Sequence, residues 1–202
     1  MIEIKEIIVI LAGYALGCFT TGYYWVRYRT GRDIRDYGSA AVGARNVGRE
    51  FGATGFAVTF FGDFAKGVLT VSVASYLEFN LAHLLLAMHA VVIGHVWPVQ
   101  LAFRGGKGIA TAFGALVVFD PILAAGSALI ALAGFALSRR LTLSGLIAVS
   151  LSPAIAAALN RPPTLVSGLA TLAIVILIAH RNNLQGLGNA MKRNTRTSDR
   201  FG

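Results

Sequence analysis

The sequence predicts an all-α membrane bundle of about seven transmembrane segments, one of them a short helix. Three observations predict it. Apolar residues make up 55% of the 202 and charged residues only 13%, where a soluble domain carries about 25% charged residues. Mean hydropathy is +0.66. Apolar stretches fall at 7–26, 53–77, 81–101, 109–119, 121–137, 142–159 and 163–179, and a full span needs roughly 20 residues. The chain reads as one membrane domain over 1–202, with no separate soluble domain.

The first stretch has neither a basic flank before it nor a small-residue cleavage site after it, so it reads as a span rather than a cleaved leader. Gly13 and Gly17 form a small-xxx-small pair suited to helix packing. Cys18, the single cysteine, leaves no internal disulfide and reads as a packing residue. The second stretch holds Asp63 and Lys66, three apart and therefore on one helix face. Ionisable residues within a span are expensive and usually face the bundle interior. Three roles fit them: an ion pair orienting the bundle, direct substrate contact, or a relay in which Asp63 positions a cation near a site.

The third stretch ends in Gly94-His95-Val96-Trp97-Pro98. Pro98 bends or breaks the helix. His95 suits the backbone groups freed at that bend, with acid, base or phosphate ligand as the alternatives. The fourth stretch, Ile109–Phe119, rises only about 17 Å. Fusing it with the fifth across Asp120-Pro121 would place Arg139 and Arg140 opposite Arg104 and Lys107. Kept apart, seven segments with an outside N-terminus and a cytoplasmic C-terminus put nearly all cations inside, as the positive-inside rule requires. The cytoplasmic groups are then Arg27 to Arg49, Arg104 and Lys107, Arg139 and Arg140, and the tail from Arg181 to Arg200, leaving Lys5 and Arg161 outside. The short fourth helix then leaves the preceding turn recessed in the cytoplasmic half of the bilayer, where irregular backbone is tolerated if it lines a wet cavity.

That turn, Phe103-Arg104-Gly105-Gly106-Lys107-Gly108-Ile109, is the most telling stretch. Glycines let amides approach an anion, a following helix aims its positive end at it, and a lysine adds full charge. The first cytoplasmic loop adds Gly38, Ser39, Gly43, Arg45, Asn46, Gly48 and Arg49. Arginine binds phosphate bidentately, and serine and asparagine add hydrogen bonds. The last span ends in Ala179-His180-Arg181-Asn182-Asn183, with His180 and Asn183 on one face. All three clusters fall on one side. The Walker A pattern fails, since Leu101 stands at its first glycine and Gly108 replaces its Ser or Thr. There is no Gly-x-Ser-x-Gly elbow, no His-Glu-x-x-His and no cysteine pair, so a serine hydrolase and a catalytic zinc are unsupported.

The sequence resembles the bacterial acyl-phosphate-dependent glycerol-3-phosphate acyltransferases over nearly its whole length. The resemblance rests on Leu16-Gly17-Cys18-Phe19-Thr20-Thr21-Gly22, the loop Gly38 to Arg49, Gly62-Asp63-Phe64-Ala65-Lys66-Gly67, the run Gly94 to Thr111, and His180 to Leu187. It implies transfer of a fatty acyl group from acyl phosphate to the sn-1 hydroxyl of glycerol 3-phosphate. It further implies a multi-pass protein of the bacterial inner membrane with its active site facing the cytoplasm. The partners implied are the two substrates and membrane lipids, with no cofactor, metal, CoA, acyl carrier protein or nucleic acid. Ser39, Arg49, His180 and Asn183 match catalytic positions. Gly105, Gly106, Lys107 and Gly108 match the glycerol-3-phosphate loop, and Arg45, Asn46 and Lys66 are further substrate-binding candidates. Cys18, Ala41, Arg45 and Gly186 depart from the residues usual in the family. The rival class is a transporter of a phosphorylated solute, which inner-half glycine breaks and intramembrane charges also suit. No inverted repeat is visible, and the basic motifs lie on one side only.

Overall fold

The computed structural model describes residues 3–181. They form eight α-helices: α1 Ile4–Cys18, α2 Thr21–Thr30, α3 Ala44–Tyr76, α4 Leu81–Val96, α5 Ile109–Phe119, α6 Pro121–Ser138, α7 Leu141–Ala158 and α8 Pro163–Ala179. Short 3-10 turns cover Ile34–Asp36 and Val99–Leu101. Among the described residues there is no strand. Four helices are long and apolar enough to cross a membrane, five if α1 and α2 are one bent span; α5 and α8 are shorter apolar helices.

The helix ends follow from local chemistry. The Asp120 carboxylate caps α6 by accepting the Leu123 amide at 3.1 Å, and Pro121 occupies the first turn, where its missing N–H costs nothing. Asn80 caps α4 through the His83 amide. Two breaks depart from the expected spans. The first span bends by 42° between α1 and α2. In α3, Gly52 has φ 69° and ψ −164°, a conformation open to glycine. The segment Ala44–Phe51 therefore sets off in its own direction before the long helix begins.

Small residues bring the helices into close contact. Gly17 of α1 faces the Val91 carbonyl of α4, and Gly67 of α3 faces the Thr111 carbonyl of α5, so a Cβ at either would collide with backbone. This matches the packing role expected for Gly17. Val71, Leu85, Met88, Val92, Leu116, Leu169 and Ile176 form a core joining α3, α4, α5 and α8. A second cluster, Val26, Ile34, Val42 and Val47, anchors the first loop. Large apolar side chains such as Leu11, Phe61, Leu129 and Ile174 point outward, as expected where the solvent is lipid.

The α1–α2 break leaves backbone groups that a bilayer cannot satisfy. Asp63 and Lys66 satisfy them. The Lys66 ammonium donates to the Gly17 and Phe19 carbonyls at 2.9 and 3.0 Å. Asp63 Oδ1 accepts the Thr21 amide at 3.3 Å and lies 3.2 Å from Lys66 Nζ. The pair expected from sequence spacing is formed, and it holds the bent first span together.

Candidate active site

A cavity of about 1000 Å³ opens among the first loop, α3, α4, α5, α6, α7 and α8. Ser39, Arg45, Asn46, Arg49, Asp63, His95, Lys107, Gly108, Arg140 and His180 line its polar part. Phe60, Met88, Phe113, Leu116, Leu146, Val149, Leu169 and Leu172 line an apolar arm. From His180 back to Leu169 along α8 is eleven residues, about 16 Å of rise. The three clusters read from sequence thus converge on one cavity, which has a charged part and a long apolar arm.

The first loop is ordered by Asn46. Its side-chain oxygen accepts the Ser39 amide at 2.9 Å, and its nitrogen donates to the Tyr37 and Ala41 carbonyls, both at 3.0 Å. Buried and fully engaged, Asn46 shapes the loop that presents Ser39. Arg49 is exposed on the first piece of α3. Arg45 reaches across to α7, donating to Thr142 Oγ1 at 2.9 Å.

The glycine turn is built differently from a simple anion loop. The Gly105 and Gly106 amides donate to the Val96 and His95 carbonyls at 3.1 and 2.9 Å. Both amides are occupied in sealing the end of α4, and neither glycine lines the cavity. A Cβ at Gly106 would overlap the His95 ring, and one at Gly105 would overlap the His95 carbonyl. What faces the cavity is Lys107, Gly108 and the start of α5. Gly108, at φ 84°, turns the chain into α5, whose first amides have no partner within the helix and carry its positive dipole end. Burial first, then the nearby Arg45 and Arg49, lowers the Lys107 pKa from its ordinary value.

His180 follows the last residue of α8 and is 1% exposed. Its Nδ1–H donates to the Ile176 carbonyl at 2.8 Å. That bond fixes the tautomer, leaving Nε2 as an acceptor. Burial and, secondarily, Lys107 depress its pKa to about 4, so the ring is neutral near pH 7. Asn183 lies outside the described residues. Lys66, a substrate-binding candidate by sequence, is not among the lining residues. Its ammonium is surrounded by Gly17, Phe19, Asp63 and His95 Nδ1, the last at 2.7 Å. Arg140 and Thr142 are site-lining residues that sequence reasoning passed over, since Arg139-Arg140 had served only to set topology.

These features define an integral membrane protein with a cationic pocket continuous with an apolar chamber. The sequence matches the family described as Glycerol-3-phosphate acyltransferase over residues 7–190. It is 42% identical to glycerol-3-phosphate acyltransferase 1 of Desulfitobacterium hafniense, over 95% of each chain. Against the glycerol-3-phosphate acyltransferase of Geobacter sulfurreducens it is 34% identical, over 91% of this chain and 94% of that one. Among solved structures it is similar to PlsY, an integral membrane glycerol 3-phosphate acyltransferase. The glycerol 3-phosphate form superposes with a TM-score of 0.87 at 29% identity, covering 92% of this chain and 93% of PlsY. The lysophosphatidic acid form gives 0.84 at 28% identity, with the same coverage. The chain belongs to the glycerol-3-phosphate acyltransferase family.

Proposed function

We propose that this protein transfers a fatty acyl group from acyl phosphate to the sn-1 hydroxyl of glycerol 3-phosphate, releasing lysophosphatidic acid and inorganic phosphate. The observation that supports it is that one cavity joins Arg49, Lys107 and His180 to an apolar arm lined by Met88 and Leu169. One region suits two phosphate groups and the other a fatty chain. We further place the chain in the bacterial inner membrane as one domain of seven crossings, N-terminus outside and C-terminus and active site cytoplasmic. The one-sided distribution of Arg and Lys supports this.

Acyl phosphate is a mixed anhydride, so no acyl-enzyme is required. The glycerol hydroxyl oxygen attacks the acyl carbon, the tetrahedral oxyanion collapses, and the phosphate leaves. Arg49, Lys107 and Arg45 offset the repulsion of two anionic substrates. Ser39 and the start of α5 add donors for phosphate or oxyanion. Holding both substrates together supplies several kcal/mol of the barrier. His180 Nε2 accepts the hydrogen bond of the attacking hydroxyl and orients it. A ring with a pKa of about 4 is a weak base, so the proton passes to a substrate phosphate. Asn183 is, by the family resemblance, a further catalytic residue, and nothing in this scheme needs a metal, CoA, an acyl carrier protein or nucleic acid.

The test is an assay of purified protein with glycerol 3-phosphate and palmitoyl phosphate, reading phosphate and lysophosphatidic acid together, with palmitoyl-CoA as the parallel donor. Equal yields of both products from acyl phosphate alone are expected. Product only from palmitoyl-CoA overturns the donor assignment, and no product from either overturns the reaction.

A further inference from the structure

His95 is buried at the end of α4, between the ion pair that seals the first span and the glycine turn that carries Lys107. The Lys66 ammonium lies 2.7 Å from His95 Nδ1, with Asp63 Oδ1 3.6 Å from the same atom. A lysine ammonium only donates, so Nδ1 accepts and the ring proton sits on Nε2. The other side of the ring packs against Gly106, with no room for a Cβ between them, beside the cavity that His95 also lines. The backbone of His95 holds the same turn, its carbonyl accepting the Gly106 amide at 2.9 Å. Lys107 is the next residue. A continuous chain of contacts therefore runs from Asp63 through Lys66 and the His95 ring to Gly106 and Lys107.

We propose that His95 is a positioning residue for the phosphate-binding lysine. Its ring, held by Lys66, sets the height of Gly106 and so aims Lys107 and the start of α5 into the cavity. The inference rests on the acyl-transfer reading above, and it assigns to Asp63 and Lys66 a task beyond sealing the α1–α2 break. They clamp the support under the anion site. Fixing Nδ1 to a cation also prevents the ring from flipping, because the flipped ring would turn a carbon toward the ammonium. Gly106 is then required for its missing side chain, which lets the turn rest directly on the ring.

The test compares His95→Ala, His95→Gln, Gly106→Ala and the double variant His95→Ala/Gly106→Ala in steady-state kinetics with both substrates varied. A parallel measurement of glycerol 3-phosphate binding in detergent needs no turnover. Misplacement of a positioning group by about 1 Å can cost about 100-fold. His95→Ala and Gly106→Ala are each expected to raise KM and Kd for glycerol 3-phosphate by about tenfold or more, with KM for acyl phosphate changed less than about threefold. Glutamine presents an acceptor to Lys66 and keeps bulk under Gly106, so His95→Gln should restore most of the loss. Removing the ring makes room for the alanine, so the double variant should be no worse than His95→Ala alone. Multiplicative losses in the double variant, or wild-type KM in both His95 variants, overturn the proposal. If His95→Ala does not fold, His95→Gln and Gly106→Ala still decide it through the KM contrast between the two substrates. A wild-type protein that binds glycerol 3-phosphate without turnover defeats the reaction assignment, while the binding arm still tests His95.

Discussion

The Asn46 side-chain oxygen accepts the Ser39 amide at 2.9 Å across seven residues of chain. With its nitrogen on the Tyr37 and Ala41 carbonyls, this one carboxamide replaces a secondary-structure ladder for the whole loop. Asn46→Ala removes these three bonds and a longer fourth, from the same nitrogen to the Ile34 carbonyl at 3.4 Å. Turnover is expected to fall by about tenfold or more, as for other misplaced positioning groups. The Ser39 amide should exchange with solvent faster in the variant. An unchanged exchange rate alongside unchanged kcat/KM would remove Asn46 from the site.

Lys107 titrates below an ordinary lysine because it is buried and has Arg45 and Arg49 as neighbours. On the proposed reading Lys107 binds phosphate while protonated, so kcat/KM for glycerol 3-phosphate should decline on the alkaline side earlier than a free lysine would require. Arg45→Thr removes a neighbouring positive charge and so raises the Lys107 pKa. The alkaline limb should move to higher pH, even if the variant is slower at pH 7. A limb that stays put or moves down contradicts the assignment.

For His180 the sign runs toward acid. The folded ring has a pKa of about 4, against about 6.5 for an unfolded histidine. As pH falls the unfolded chain takes the proton first, so the stability that His180 contributes is complete above about 6.5 and is lost as pH falls toward about 4. Melting temperatures of wild type and His180→Gln in detergent should converge over that window. Turnover of His180→Gln at pH 7 should stay above about one-hundredth of wild type, because a general base is worth about 100-fold or more. A complete loss of turnover with normal substrate binding would make His180 the base instead.

Ala128 lines the apolar arm from α6. Ala128→Phe should shorten the donor chain the cavity accepts. Each buried methylene is worth about 0.8 kcal/mol, so excluding two of them should cost palmitoyl phosphate about tenfold in kcat/KM while octanoyl phosphate is spared. Equal losses for both donors would mean that the chain lies elsewhere.

Much of this was legible in the sequence, for identifiable reasons. Hydropathy located every apolar helix because a bilayer demands continuous apolar surface. The three-residue spacing gave the Asp63–Lys66 pair, because helix geometry leaves no choice of face. Sequence could not show that Lys66 is surrounded by Gly17, Phe19 and His95, since those residues come from separate segments. The glycine turn has a second use that its spacing does not show. Glycine is used both where a backbone approaches an anion and where it approaches another side chain, and Gly105 and Gly106 belong to the second kind. The bend at Phe19–Thr20 carries no proline to announce it. Gly52, at φ 69°, is one glycine among 23, and composition alone does not single it out.

The sealed break between α1 and α2 also bears on how the protein is made. The carbonyls of Gly17 and Phe19 find their partner only when Lys66 arrives, and Lys66 reaches its last contact only with His95. During synthesis the first helix therefore waits, unfinished, for two later ones. A truncated chain that stops before α3 carries bare polar backbone into lipid.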